Sequence, residues 1–552
     1  MITRNRSDRR SPPTRRGLSQ LDQESGRIAT SYALLTGLGA SCASGVALAI
    51  AFPPVGAWPM AFLALVPLLW AIRGATATRT ALFGFASGVS AFGLLLSWII
   101  RFGEGAFVSL VLLLALFMVA FALVARILLR GASRTLRVAG IAAAWTLIEH
   151  VRGVWPLGGF TWGGLGVSQV DDPFLLPLAS IAGSIGITFV VVAVNVLALE
   201  FLVDRQRSWR RCGVLVVATA VVLAPSVIPL SARTGTPLEV VSLQVDVRTA
   251  DADTRSSEDL EVASLHIGLH RKLVDRERPD LIIWGEGALD PAATSEPLTM
   301  SAVREVIREV GAPTIVGAAP TDGTGQRTSA LLFDGEGREV DRYDKTHLVP
   351  FGEYVPWRRR LSWFDAVSQI PVDRVPGETI EPLVDPALPA IGTPICFENA
   401  FPSLVRDMVN NGAELLVVPV NNASYGFSAA SEQHLQMSRM RAVEVDRWVV
   451  NAGVSGITAA IDPTGRVVER TQLFETASLR TTVFAIDSRT LFVRWGEWMV
   501  VLSLVLLAAS WAMSIRRHPV AGRYPRGVSS PLVNEREDGH GSPEPHPLTA
   551  TI

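Results

Sequence analysis

Three residues far apart in the chain could together make an acyl-transfer centre: a carboxylate at Glu286, an ammonium at Lys345 and a thiol at Cys396. Glu286 ends the apolar run LIIW between Gly285 and Gly287, where a ligand or another backbone could come close. Lys345 lies in DRYDKTHLVPFGEYVP (341–356) and, with Lys272, is one of only two lysines among 50 basic residues. Arginine forks its hydrogen bonds, whereas a lysine ammonium is a compact charge that can approach a single atom. Cys396 closes the apolar stretch LPAIGTPIC ahead of a predicted helix, whose N-terminus would favour thiolate. Singly, each has a plain reading: a small buried hydrophobe, a turn acid, a surface ion pair with Asp344. Together they supply a nucleophile, a base that takes and relays its proton, and a donor for a tetrahedral oxyanion.

The elements that must position them lie in 238–488, which reads as one soluble α/β domain. LEVVSLQV, LIIW, PTIVGAA, ALLFD, ELLVVPV, WVVNAGV and ITAAIDP are strand-like, and helical stretches at 257–277, 298–310, 401–411 and 429–446 alternate with them. Gly335-Glu336-Gly337 between two strand patterns predicts a hairpin. Each of the three candidates then falls at a strand end, on the rim of a sheet.

The remainder is a different kind of chain. Of all residues 49% are hydrophobic and 18% charged, and mean hydropathy is +0.33. Apolar runs at 32–52, 58–72, 81–100, 106–125, 138–148, 178–203, 212–230 and 498–515 predict about eight membrane spans, seven of them in a 31–232 membrane domain and the last at 495–515. Arginine is concentrated before the first run and in alternate loops (Arg73 and Arg79; Arg126, Arg130, Arg134 and Arg137; Arg205, Arg207, Arg210 and Arg211), while the other loops hold Arg101 and Arg152. The positive-inside rule then puts both termini in the cytoplasm and 238–488 outside it. Residues 1–30 and 516–552 read as disordered cytoplasmic tails. Ionisable residues are nearly absent from the runs, which argues against a transporter. No basic stripe with interleaved aromatics suggests nucleic acid.

LIIWGEGA, RYDKTHLVPFGEYVP and PICFE resemble the three signature stretches of the carbon–nitrogen hydrolase (nitrilase) superfamily. The chain from about 30 to 515 resembles the apolipoprotein N-acyltransferase family within it, including LAIAFPPVGAWPMAFLALVPLLW (48–70) and EHVRGVWPLGGFTWGGLG (149–166) in the membrane half. That resemblance implies a bacterial cytoplasmic-membrane protein with an extracytoplasmic nitrilase-like α-β-β-α sandwich on a helical bundle, and no cofactor or metal. It implies a ping-pong reaction in which Cys396 takes an acyl chain from a phospholipid and passes it to the α-amino group of a diacylglyceryl-cysteine on an apolipoprotein. Glu286 would be the base, Lys345 the oxyanion stabiliser, and Glu353 and Glu398 further acids around the site. Phe397 stands where the family often has Tyr. Asn421 and Tyr425, in NNASYGF, stand where others have Asn-Asp-Ala-Trp-Phe and would face substrate.

WRRRLSWF (357–364) has the composition of a membrane-interface segment. Trp357, Trp363 and Phe364 would sit at headgroup depth, with Arg358, Arg359 and Arg360 on phosphates. Two other functions stay open from the sequence: a membrane-tethered hydrolase that releases its acyl group to water, and a non-catalytic scaffold.

Overall fold

The computed structural model describes residues 15–131, 133–203, 208–230, 235–247, 255–361, 370 and 372–516. The arginine-punctuated apolar runs form helices α1 (Arg15–Ile50), α2 (Val66–Ile72), α3 (Ala77–Leu95), α4 (Glu104–Gly131), α5 (Arg134–Val154), α6 (Ala179–Val203) and α7 (Ser208–Leu223). Residues 15–30, expected to be part of a disordered tail, are instead the first turns of α1. Residues 1–14 and 517–552 of the two expected tails lie outside the described residues.

Small residues decide how closely these helices pack. A Cβ on Gly88 would stand 2.6 Å from Ala115 Cα, and one on Gly84 would stand 2.8 Å from Met118 O, so this i, i+4 glycine pair lets α3 lie directly on α4. Among the described residues three helical segments are long and apolar enough to cross a membrane: Thr30–Ile50, Glu104–Arg130 and Leu176–Val203. Trp58–Ile72, Val216–Val227 and Trp498–Ser514 are shorter apolar helical segments. The 58–72 run is not one helix. It is a 3-10 turn, Trp58–Phe62, followed by α2. Buried Asn195 of α6 takes up the polar backbone released by that break, accepting from Leu65 N (2.8 Å) and donating to Ala61 O (2.8 Å).

The arginine-bearing ends lie together. Arg126 and Arg130 both donate to Ala75 O (2.9 and 2.7 Å), and Arg137 pairs with Glu200 at 3.0 Å. At the opposite ends, Arg101 donates to Ser424 O of the α/β half, and Arg152 holds the carbonyls of Phe160 and Trp162.

The α/β half contains β1 (Thr236–Gln244), α8 (Arg255–Arg271), β2 (Leu281–Leu289), α9 (Pro291–Ser295), α10 (Pro297–Val310), β3 (Thr314–Ala318), a ribbon of β4 (Thr321–Asp322) and β5 (Gly325–Gln326), β6 (Ser329–Phe333) and β7 (Glu339–Asp344). Then come α11 (Arg358–Leu361), β8 (Ile391–Gly392), α12 (Pro402–Asn410), β9 (Leu415–Asn421), α13 (Ala430–Val445), β10 (Val449–Val454), β11 (Ala459–Ile461), β12 (Val467–Arg470) and β13 (Ala477–Ala485), before α14 (Leu491–Trp495) and α15 (Trp498–Arg516). One sheet has the order β13-β1-β2-β3-β6-β7 and the other β12-β11-β10-β9-β8. The expected hairpin joins β6 to β7.

Alternation along each strand makes the layers. Leu281 and Ile283 of β2 point into the core shared with Val417 of β9 and Val450 of β10, while Ile282 and Trp284 point outward among Val262, Val303 and Ile307 of α8 and α10. Helices α12 and α13 cover the second sheet, completing an α-β-β-α sandwich, and α13 also packs on α6 of the bundle. One hydrophobic core therefore runs from Leu65 in the bundle through Leu404 and Val443 to the inner faces of both sheets.

Candidate active site

The fold brings Glu286, Lys345, Glu353, Cys396 and Glu398 into one buried cluster. Glu286 lies where the β2–β3 register shifts between Trp284 and Leu289. The glycines around it fit this bulge. Gly287 has φ +73°, and a Cβ on the facing Gly317 would stand 2.7 Å from the Glu286 Cα. Lys345 follows β7 directly, its N–H donating to Thr328 O at 2.8 Å. Its ammonium lies 3.2 Å from Glu286 Oε1 and 3.0 Å from Glu353 Oε1, with 1% of the side chain exposed. Burial opposes that charge, but Glu286 and Glu353 outweigh it and raise the Lys345 pKa, so the ammonium is permanent. Glu353 is held below the usual carboxylate range despite its own burial, by Lys345 first and then Arg374, and it also accepts from Val349 N at 2.7 Å.

Cys396 departs from expectation in its strand. That strand is only the two-residue β8; the thiol opens a five-residue 3-10 turn, Cys396–Ala400, and the expected helix follows as α12. Its φ is +51°, a conformation rare for a side chain with a Cβ, which aims the sulfur out of the turn. The expected thiolate is corrected as well. Burial, and then the charge of Glu286, push the Cys396 pKa well up, with Lys345 opposing, and the thiol hydrogen-bonds to Glu286. Cys396 therefore rests as a neutral thiol against the Glu286 carboxylate.

Glu398 ties the nucleophile turn to the lysine strand. Its Oε1 accepts from Tyr343 OH (2.9 Å), Thr346 N (2.8 Å), Thr346 Oγ1 (2.9 Å) and His347 N (3.0 Å), and its Oε2 accepts from Ile395 N (2.8 Å). It is fully buried, and desolvation raises its pKa in spite of these donors.

Asn421 donates its backbone N–H to Glu286 Oε2 at 3.2 Å. The Tyr425 ring lies 4.9 Å from Trp98 and 6.4 Å from Trp162, and Phe397 lies 6.2 Å from Phe160, so the bundle supplies aromatic walls to the α/β half. Of the 357–364 segment the structure describes 357–361. Trp357 is 63% exposed at φ +52°, and Arg359 and Arg360 are exposed on α11. The Arg358 guanidinium, however, is held by Asp373 (2.5 and 3.0 Å) and Ile370 O (2.8 Å), so it braces its own loop. Trp363 and Phe364 lie outside the described residues.

Sequence reasoning missed Gln433 and His434, adjacent on α13. A polar pair in a helix carries no signal of what it will face. His434 Nε2 lies 3.0 Å from Cys396 O. Burial lowers the His434 pKa to about 4, so the ring is neutral at pH 7 and donates through Nε2–H. His347 beside the site is likewise lowered to about 4, and His266 and His270, packed on Trp284, to about 4 and about 3, burial being the first cause in each. An unfolded chain binds protons at these histidines from about pH 6.5 downward and the folded one does not. Their stabilisation is therefore complete above about 6.5 and lost as pH falls through 4, at about 3 kcal/mol for a fully buried ring such as His266. Melting followed by tryptophan fluorescence should drop by at least about 10 °C between pH 7.5 and 5. A flat profile over that range would contradict the neutral assignments.

Comparison with known proteins bears on both halves. Residues 44–197 match the sequence profile of the apolipoprotein N-acyltransferase N-terminal domain, and residues 262–491 match that of carbon–nitrogen hydrolase. An apolipoprotein N-acyltransferase of Geobacter metallireducens is 31% identical over 494 residues, covering 84% of this chain and 93% of the relative. The chain belongs to the apolipoprotein N-acyltransferase family. Relatives of the same name from Azotobacter vinelandii (30% identical, 86% of this chain and 94% of theirs) and Photobacterium profundum (29%, 87% and 95%) match over similar lengths. In this chain the carbon–nitrogen hydrolase half follows the N-terminal helical half, and the two share one core.

Proposed function

We propose that this chain transfers a fatty acyl group from a membrane phospholipid, through a thioester on Cys396, to the α-amino group of the N-terminal diacylglyceryl-cysteine of an apolipoprotein. The observation that carries this reading is the source of the site walls. A buried Cys–Glu–Lys cluster would serve any carbon–nitrogen hydrolase, but here Trp98 and Trp162 of the helical half pack on Tyr425, and Phe160 packs on Phe397 next to Cys396, so the membrane half supplies apolar surroundings suited to an acyl chain. Eight membrane segments with the α/β half outside the cytoplasm are part of the same reading. The grouping of arginine-bearing loops at the bundle end away from that half supports it.

In the first half-reaction the Cys396 S–H proton passes to Glu286 while sulfur attacks the ester carbonyl. The oxyanion develops beside Lys345, two of whose three N–H donors hold Glu286 and Glu353 and leave one for it. The C–O bond breaks, and Glu286 returns its proton to the lysophospholipid oxygen. In the second, Glu286 takes a proton from the attacking amine, the C–S bond breaks, and the thiol is restored.

Intact-protein mass spectrometry after incubation with phospholipid tests this. One acyl group should add, labile to hydroxylamine and lost in Cys396→Ser, and a diacylated lipopeptide should discharge it as an amide. Discharge by water at the same rate would identify a hydrolase. No adduct on a Cys396 that also resists thiol reagents would identify a scaffold.

A further inference from the structure

Among the described residues, Gln433 is the most completely engaged polar side chain between the two halves. It is 2% exposed. Its Oε1 accepts from Trp98 Nε1 (3.2 Å) and Trp162 Nε1 (2.7 Å), and its Nε2 donates to Pro53 O (3.0 Å) and Leu95 O (3.2 Å). One amide of the α/β half thus satisfies two indoles and two carbonyls from three separate stretches of the helical half, using both lone pairs and both protons. An apolar side chain of the same size would hold the volume but leave four buried groups unpartnered, so the cost of losing this contact falls on the bundle.

The next residue faces the other way. His434 donates to the carbonyl of Cys396, and Trp162 itself lies 5.7 Å from the His434 ring. A second tie from α13 holds the same turn, through Asn399 Nδ2 to Ser438 Oγ (2.8 Å) and on to Asn451 Oδ1 (3.0 Å). Cys396 sits at a positive φ that persists only when its surroundings over-determine it. Those surroundings are Glu398 on the lysine side and α13 on the other, and Gln433 seats α13 on the helical half together with Glu444, which accepts from Ser184 N, and Arg439, which pairs with Asp171.

Resting on the acyl-transfer reading of the site, we propose that Gln433 is a positioning residue that locks the aim of the Cys396 sulfur to the helical half, through His434. The aromatic packing of the helical half and the Cys396 turn are then one mechanical unit: a displacement of Trp98 or Trp162 reaches the Cys396 carbonyl through two adjacent residues of one helix. The helical half would be a working part of the nucleophile as well as its anchor.

The test uses the full chain in detergent, reading alkylation of Cys396 by iodoacetamide at its own peptide, which requires no lipid. Gln433→Met keeps the volume and removes every hydrogen bond. Trp162→Phe keeps the ring packing and removes the 2.7 Å bond. Alkylation at pH 7 should slow at least about tenfold in Gln433→Met and about threefold in Trp162→Phe, because Glu286 no longer faces the thiol proton, and in both variants the residual rate should rise with pH as hydroxide replaces the carboxylate. His434→Gln, which retains an N–H for the carbonyl, should keep more of the rate than His434→Phe. Wild-type rates and pH profiles in Gln433→Met and Trp162→Phe, with only a lower melting temperature, would overturn the proposal and leave Gln433 as interface cement. Should Gln433→Met not fold, Trp162→Phe decides. If wild-type protein never acquires an acyl group from phospholipid, the acyl-transfer reading fails while the alkylation result still stands or falls by itself.

Discussion

Lys345→Met should lower the rate of thioester formation about a thousandfold and destabilise the chain by roughly 3–5 kcal/mol, the usual consequence of stripping one partner from a buried ionic group. The two effects share one cause. Lys345 is 1% exposed and stands between two carboxylates, at 3.2 Å from Glu286 and 3.0 Å from Glu353. Methionine fills the space but leaves two acids facing each other away from water, so one must take up a proton to stay buried. If that acid is Glu286 the base is lost; if it is Glu353, Val349 N keeps a weakened acceptor and the loop slackens. Lys345→Arg should not rescue the rate, since a planar fork cannot occupy the position of an ammonium between these acids. Loss of rate is read by acyl-adduct formation and loss of stability by denaturant melting. A Lys345→Met protein of wild-type stability would show that the ion triad is not formed in solution.

Glu286→Gln should cost about as much rate, and its pH dependence is the sharper observation. The Glu286 carboxylate is one of the causes that raise the Cys396 pKa, second to burial. Removing its charge brings the thiol closer to ionising, so the variant should hold more thiolate at neutral pH than the wild type and yet be at least about a thousandfold slower. It has lost the base that returns a proton to the leaving alkoxide and later takes one from the amine. The residual rate should rise with pH as hydroxide replaces the carboxylate. Glutamine is also a poor fit here: Lys345 Nζ and Asn421 N both donate to this side chain, and an amide has only one oxygen. A variant as fast as wild type would mean that Glu286 is a structural acid only.

The chemistry was easier to read from the sequence than its geometry. Glu286, Lys345 and Cys396 stood out because each breaks a local habit: an acid between glycines, a lysine in an arginine chain, a lone cysteine in its domain. The strand and helix alternation from 238 to 488 was legible for the same reason that it folds, since period-2 apolar runs must find two sheets to lie between. What could not be read was anything decided by partners distant in the chain. The state of Cys396 depends on burial and on Glu286, 110 positions earlier, which outweigh the short turn after it. The break inside 58–72 depends on Asn195 being there to satisfy it. Arg358 looked available for phosphate because Asp373 is fifteen residues away. Gln433 has four partners, all more than 250 positions from it, and no local pattern announces them.

The scarcity of lysine, with one of the two exposed and the other sealed in the site, also fixes how the chain can be handled. Amine-directed coupling to a surface or dye can reach Lys272 and in the folded state leaves Lys345 untouched. A lysine-specific protease acting on the denatured chain cuts it into 1–272, 273–345 and 346–552. Cys42 and Cys212 fall in the first piece, Glu286 in the second, and Cys396 alone in the third. Any thioester found on the third piece is therefore on the nucleophile, and no sequencing of fragments is needed to say so.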